Sequence, residues 1–193
     1  MSTVKILAFA GSTRTESFNK KLVRIAAEGA RNAGAEVTLI DLRDFPMPLY
    51  DGDLEAASGL PEHAKRLKRL MVDHHGLLIS TPEYNSSITG VLKNAIDWAS
   101  REETDDEPPL VCFRGKTAAL VSASPGAFGA SRSQRHVRAI LGHLGAYMLP
   151  DQVSIARAHE AFDAAGALKE PAKQKAVMEV GAKLAEFTRK MNA

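Results

Sequence analysis

A chain of 193 residues with 45% hydrophobic and 25% charged residues fits one globular domain with a sizeable core. Its formal charge of +2, with Lys and Arg interleaved among acids, excludes the basic patterning of a nucleic-acid-binding chain. A single cysteine, Cys112, excludes an intrachain disulfide and a multi-cysteine metal site, and no apolar run has the length of a signal-peptide core or membrane span, so a cytoplasmic protein is expected.

Val4–Ala10 is a near-continuous apolar run closed by Gly11, as in a strand buried on both faces. After the polar loop GSTRTESFN, a helical stripe of Phe18, Leu22, Ile25 and Gly29 begins at Ser17 and stops near Gly34. Glu36–Leu42 reads as the second strand and completes a right-handed βαβ unit. Phe45–Gly59 contains two prolines, Gly52 and several acids, and reads as an irregular surface loop. Pro61 can open a helix striped by Leu60, Ala64, Leu67 and Met71. Gly76–Ser80 is the third strand and Ile88–Ser100 the third helix, followed by a charged connection, Glu102–Pro109, expected to be mobile. Lys116–Ala123 is the fourth strand. SPGAFGAS then leads into a helix aligned on Val137, Ile140, Leu141 and Leu144. Tyr147–Ile155 holds the fifth strand, and a last helix from about Pro171 aligns Val177, Val180, Leu184 and Phe187.

Strands alternating with helices, with no internal repeat or linker, predict an α/β fold over residues 1–193 as a single domain. The expected plan is a flavodoxin-like three-layer sandwich, a five-stranded parallel sheet of order 2-1-3-4-5 with helices on both faces, which fits this length better than a six-stranded Rossmann sheet. Ligands of such folds lie over the carboxyl ends of the strands, here the loops after strands one, three and four.

In the first loop Gly11, Ser12, Thr13, Arg14, Thr15, Ser17 and Asn19 gather hydroxyls, an amide and a guanidinium at a helix start, where backbone N–H groups favour an anion. An ordinary helix cap by Ser17, with Arg14 in water, would use the same residues. Glu16 and Ser17 stand where a P-loop needs Gly and Lys, and the three-glycine dinucleotide fingerprint is missing, leaving a terminal monophosphate as the candidate anion. In the second loop Pro82, Glu83, Tyr84 and Asn85 offer an acid, an aromatic, an amide and a backbone turn that could meet a planar ring. Capping of the next helix by Asn85 or Ser86 is the plain alternative. The third loop, SASPGAFG, is small enough for backbone to approach a ligand closely.

GSTRTESFN, TPEYNSSITGVLKNAIDWASR and SASPGAFGASR, in this order and spacing from Val4 to about Leu149, resemble the NADPH-dependent FMN reductase family of flavodoxin-like quinone, azo and chromate reductases. The resemblance implies that Ser12, Arg14, Ser17 and Asn19 hold the phosphate of FMN. It places Pro82, Glu83, Tyr84 and Asn85 along the isoalloxazine and Ser124 and Gly126 on its far side. It implies ping-pong reduction of a small-molecule acceptor, with NADPH or NADH as co-substrate and no catalytic side chain, because the cofactor carries the redox chemistry. An electron carrier without direct NAD(P)H turnover is the alternative, although such carriers are usually more acidic than this chain. A homodimer or homotetramer is also implied. The third helix carries Ile96 and Trp98 outside its apolar stripe, which reads as a partner surface.

The remaining reactive residues read as structural. Cys112 lies in an apolar stretch, the histidines lack zinc spacing, and Arg132, Arg135 and Arg138 could face a cofactor phosphate but read better as a solvated helix face. The acidic segment Glu102–Glu107 belongs to none of the motifs.

Overall fold

A computed structural model describes residues 3–193. Its elements are β1 (Lys5–Ala10), α1 (Phe18–Asn32), β2 (Glu36–Asp41), α2 (Gly52–Ser58), α3 (Glu62–Val72), β3 (Gly76–Ser80), α4 (Gly90–Ala99), β4 (Thr117–Ala123), α5 (Ser131–His143), β5 (Tyr147–Ile155), α6 (Ala158–Ala161) and α7 (Pro171–Met191). The strands form one parallel sheet of order β2-β1-β3-β4-β5, as expected.

Period-two alternation divides each central strand between two cores. Ile6, Ala8, Leu78, Ala119 and Val121 face α1 and α7, while Leu7, Phe9, Leu77, Ile79 and Leu120 meet α3, α4 and α5. With both faces covered, β1, β3 and β4 read as unbroken apolar runs, which is why the sequence shows no alternation there. Burying each of these aliphatic side chains contributes about 1.5–3 kcal/mol. Helices α1 and α7 cross backbone to backbone at Gly29 and Gly181, where a Cβ would stand 1.9 Å from the Met178 carbonyl oxygen and 1.8 Å from that of Ala26.

Three expectations need correction. The stretch Phe45–Gly59 is not irregular throughout. Asp51 caps α2 by accepting from the Asp53 N–H at 2.9 Å. The surplus apolar residues of α4 are both covered within the chain: Ile96 is buried in the core with Leu67 and Met71, and Trp98 is fully buried with Leu60 and Ala64 against Met47 and Leu54 of this same stretch, its Nε1–H donating to the Pro48 carbonyl at 2.8 Å. The acidic connection is also pinned. Lys68, only 3% exposed, is paired with Glu107 at 2.7 Å and donates to the Arg101 carbonyl, and Glu107 further accepts from the Glu103 N–H at 2.7 Å. Burying an ammonium requires such a carboxylate partner.

At the opposite end of the sheet from the three loops, His75 Nδ1 accepts the Lys5 N–H at 3.0 Å, a bond that only the neutral ring can make through that atom. Burial, then the charges of Lys116, His74 and Lys5, hold its pKa below the ordinary 6.5. The unfolded chain therefore binds the proton more readily, and stability falls as pH drops below about 6.5. The urea midpoint should be steady between about pH 8 and 7 and decline between about pH 6.5 and 5. In His75→Gln that decline should be shallower, and an equal slope would exclude His75 as its source.

Candidate functional site

Strands β1, β3 and β4 end side by side, with Ala10 paired to Ser80 and Ser80 to Val121, so the three loops leave one edge of the sheet together. Gly11 donates to the Ser80 carbonyl at 2.9 Å, and its own carbonyl accepts from the Thr89 hydroxyl at 2.7 Å. A Cβ at Gly11 would lie 2.9 Å from Leu92 Cδ2, so only glycine lets the first loop settle this close to α4.

Asn19 is buried beneath the loops and joins all three. Its Nδ2 donates to the Ala123 carbonyl at 2.8 Å, while Oδ1 accepts from the Ser80 hydroxyl at 2.8 Å and the Ala123 N–H at 3.0 Å. This amide, expected to hold a phosphate, is committed inside the protein and acts as a cross-brace. Ser12 and Ser17 are also buried. Ser12 Oγ accepts from the Arg14 N–H at 3.3 Å, and the Arg14 side chain is exposed. From below, Arg43 donates through Nε to the Thr13 carbonyl at 3.0 Å and through Nη2 to Thr15 Oγ1 at 2.9 Å, fixing the loop's outer half.

The helices that follow the three loops, α1, α4 and α5, differ in their first turns. Thr89 caps α4 by accepting from the Leu92 N–H at 3.3 Å. The start of α5 is filled by Glu83, whose Oε2 accepts from the Arg132 and Ser133 N–H groups at 3.1 and 3.3 Å, and whose Oε1 meets Arg132 Nη1 at 3.3 Å. At α1, Ser17 takes the cap position without a side-chain cap bond, and the first turn holds no acid. Of these three, the start left open is that of α1, which follows the loop carrying Ser12, Arg14 and Ser17.

The second loop is a tight turn in which Tyr84 and Ser87 exchange backbone hydrogen bonds at 3.0 Å. Asn85 and Ser86 carry φ of 50° and 64°, the pair of positive values that a type I′ turn requires. The turn thus stands up from the sheet, with Pro82 buried at its base and Tyr84 52% exposed at its side. In the third loop, Ser124 Oγ accepts from the Gly126 N–H at 3.1 Å. A Cβ at Gly129, where φ is 56°, would meet Ile155 and Ala156 backbone at 2.8 Å. Thr81 links loops two and three through a 2.6 Å contact with the Ser133 hydroxyl.

Three further residues shape the site. Thr89 and Arg43 hold the first loop, and Arg132 is drawn out of the expected solvated face onto Glu83 and the exposed Phe128 ring, 4.2 Å from its centroid. Of these, Thr89 alone carried a local signal, a hydroxyl just ahead of a helix. Cys112 is inert, since burial pushes its thiol up to about 11.

A doubly wound parallel sheet with one open, hydroxyl-lined helix start beside two short, backbone-rich turns defines a flavodoxin-like flavoprotein. The chain belongs to the NADPH-dependent FMN reductase family, whose model matches residues 4–160, and is an NAD(P)H-dependent oxidoreductase. It is 41% identical over 166 residues to an NAD(P)H-dependent FMN reductase of Pseudomonas aeruginosa, covering 86% of this chain and 84% of that one. It is 35% identical over 146 residues to a quinone reductase of Escherichia coli, covering 76% and 73%. Among solved structures, a flavoenzyme NAD(P)H:(acceptor) oxidoreductase from Paracoccus denitrificans (FerB) superposes with a TM-score of 0.78 at 30% identity, over 97% of this chain and 98% of that one.

The donors present suit FMN. An uncapped helix start with buried hydroxyls and a guanidinium matches a phosphate monoester, and raised backbone turns match the edge of a flat ring. No helix among the described residues is long and apolar enough to cross a membrane.

Proposed function

We propose that the chain, acting as one FMN-binding reductase domain, passes electrons from NADPH or NADH to quinones, free flavins and related acceptors such as azo compounds and chromate. The two substrates would use the same open face in turn. The observation that carries this reading is the contrast among helix starts: α4 and α5 are capped by Thr89 and Glu83, while α1 is left to Ser12, Arg14 and Ser17. When bound, FMN supplies hydride acceptance and electron delivery. Ser12, Ser17 and the Arg14 guanidinium bind its phosphate. Pro82, Tyr84 and Asn85 present backbone to the ring edge, Ser124 and Gly126 close the far side, and Asn19 and Glu83 act as positioning residues. Backbone N–H groups fixed in place favour negative charge gained by the ring, as in an oxyanion hole. No side chain is assigned as proton donor or acceptor. The protein would work in the cytoplasm as a homodimer or homotetramer, consistent with the family resemblance.

The test is direct. Purified protein should be yellow or become so with FMN, and should oxidise NADPH or NADH only when a quinone or added flavin is present. An FMN-loaded sample inert toward both nicotinamides would end this reading. Arg14→Ala should weaken FMN binding by about 1.5–3 kcal/mol, the cost of losing a charge-assisted hydrogen bond. Titration of the flavin absorbance measures it, and unchanged affinity would remove Arg14 from the phosphate site.

A further inference from the structure

Phe128, on the third loop, is 60% exposed, the most exposed aromatic side chain among the described residues. A single exposed apolar residue is ordinary, but the mounting of this one is not. The Arg132 guanidinium lies over its ring, 4.2 Å from the centroid, and also meets Glu83 Oε1 on the second loop at 3.3 Å. A planar guanidinium can stack on a ring and bond a carboxylate at once, which a compact ammonium cannot. One side chain thus ties Phe128 to the turn expected along the cofactor ring, and the surface that Arg132 leaves uncovered faces solvent.

The backbone beneath the ring is pinned as well. The Phe128 carbonyl accepts from the Ser131 N–H at 3.0 Å, and the Gly129 carbonyl accepts from the buried Ser122 hydroxyl. Gly129 and Ala130 follow with φ of 56° and 66°. Ala130 is buried, and a left-handed alanine persists only where its surroundings over-determine it. An apolar ring is therefore held out in water on a strained crest. Tyr84 is also exposed, so both loops that flank the expected ring site present an aromatic side chain.

We propose that Phe128 is a specificity-determining residue for the electron acceptor: its uncovered surface stacks with a flat, electron-poor ring such as a quinone and offers nothing to an inorganic ion. The face of a phenyl ring is negative, and the carbonyls of a quinone drain the quinone's own ring, so the two attract. Covering Phe128 also removes apolar surface from water, which adds to the affinity. The proposal rests on the reductase reading and adds a preference among its acceptors.

Menadione and ferricyanide separate the two kinds of acceptor. One menadione gains two electrons, with two protons from the flavin and water, to become its hydroquinone. Two ferricyanide ions gain one electron each to become ferrocyanide, so either set discharges one fully reduced flavin. FMN-loaded wild type, Phe128→Ala, Phe128→Leu and Phe128→Tyr are compared by calorimetric binding of menadione to the oxidised protein, which has no electrons to give. Reoxidation of the dithionite-reduced protein by each acceptor is then followed in the flavin absorbance. Circular dichroism and sedimentation velocity check fold and assembly. Phe128→Ala and Phe128→Leu should raise the menadione dissociation constant roughly tenfold and slow reoxidation by menadione to a similar degree. Phe128→Tyr, which keeps the ring, should stay within about twofold of wild type. Ferricyanide should reoxidise every variant at the wild-type rate.

Wild-type menadione affinity in Phe128→Ala would overturn the proposal, as would equal losses toward both acceptors. Phe128→Leu keeps the test open should the alanine protein misfold, and wild-type affinity there would overturn stacking in favour of bulk alone. An affinity lost only together with the assembly would make Phe128 a subunit contact and overturn its role toward the acceptor. Each of these results leaves the reductase reading standing. Reduced wild type that passes electrons to neither acceptor would end both.

Discussion

Asn19→Ala is expected to lower the free energy of unfolding by about 3–5 kcal/mol, the largest loss from any single polar side chain of the site. The substitution strips partners from the Ala123 N–H, the Ala123 carbonyl and the Ser80 hydroxyl at once. All three lie in buried residues, and each group left unpaired in such a place costs about 1–3 kcal/mol. Entry of water would reduce the total, which keeps the expectation below the simple sum. Asn19→Asp separates bonding from shape. It retains an acceptor for Ser80 and the Ala123 N–H, yet sets a carboxylate oxygen against the Ala123 carbonyl where the amide now donates at 2.8 Å. It should be no less damaging. Urea unfolding of the three proteins measures the loss, and a fall of less than about 1 kcal/mol in Asn19→Ala would show that the brace is not needed.

Gly181→Ala should be comparably severe for a steric reason. Its Cβ would sit 1.8 Å from the Ala26 carbonyl oxygen, and this neighbour is main chain that cannot rotate aside. Helices α1 and α7 must move apart, opening the core that contains Leu22, Ala26, Val177 and Leu184. Overpacking typically costs about 1–3 kcal/mol and more where backbone must shift, so a loss of about 3 kcal/mol or greater is expected. Against this stands the intrinsic helical gain of alanine over glycine, about 1 kcal/mol, which is too small to reverse the sign. Gly142 in α5 supplies the control, since a Cβ there would meet nothing within 4 Å. Gly142→Ala should be neutral or stabilise by up to about 1 kcal/mol. A thermally unchanged Gly181→Ala would mean that the helices part without cost.

The sheet was legible in the sequence because its cause is local. The apolar runs at Val4–Ala10, Gly76–Ser80 and Lys116–Ala123 carry their burial in their own composition, alternation with helices makes the sheet parallel, and the chain length favours the five-stranded order over a six-stranded one. The roles of Asn19 and Glu83 were not legible, because each is decided by partners far away in the chain. Asn19 meets Ala123 across 104 positions, and Glu83 meets Arg132 across 49. The residue types marked the loops as unusual without saying which side chains turn inward. Trp98 shows the same limit: its exposure on a helical wheel is real, but the Pro48 carbonyl and Met47 supply its cover from the preceding segment. The acidic run likewise looked loose until Lys68, buried on α3, gave Glu107 a fixed place.

The carboxylate at the start of α5 bears on electron flow. A ring lying along Pro82–Asn85 would have Glu83 close to its edge, and a bare negative charge there would oppose the arrival of electrons. Glu83 is not bare: the helix end and the Arg132 guanidinium already neutralise it. Were the ring seated there as proposed, the acid that the sequence writes into this wall would face it with its charge already compensated.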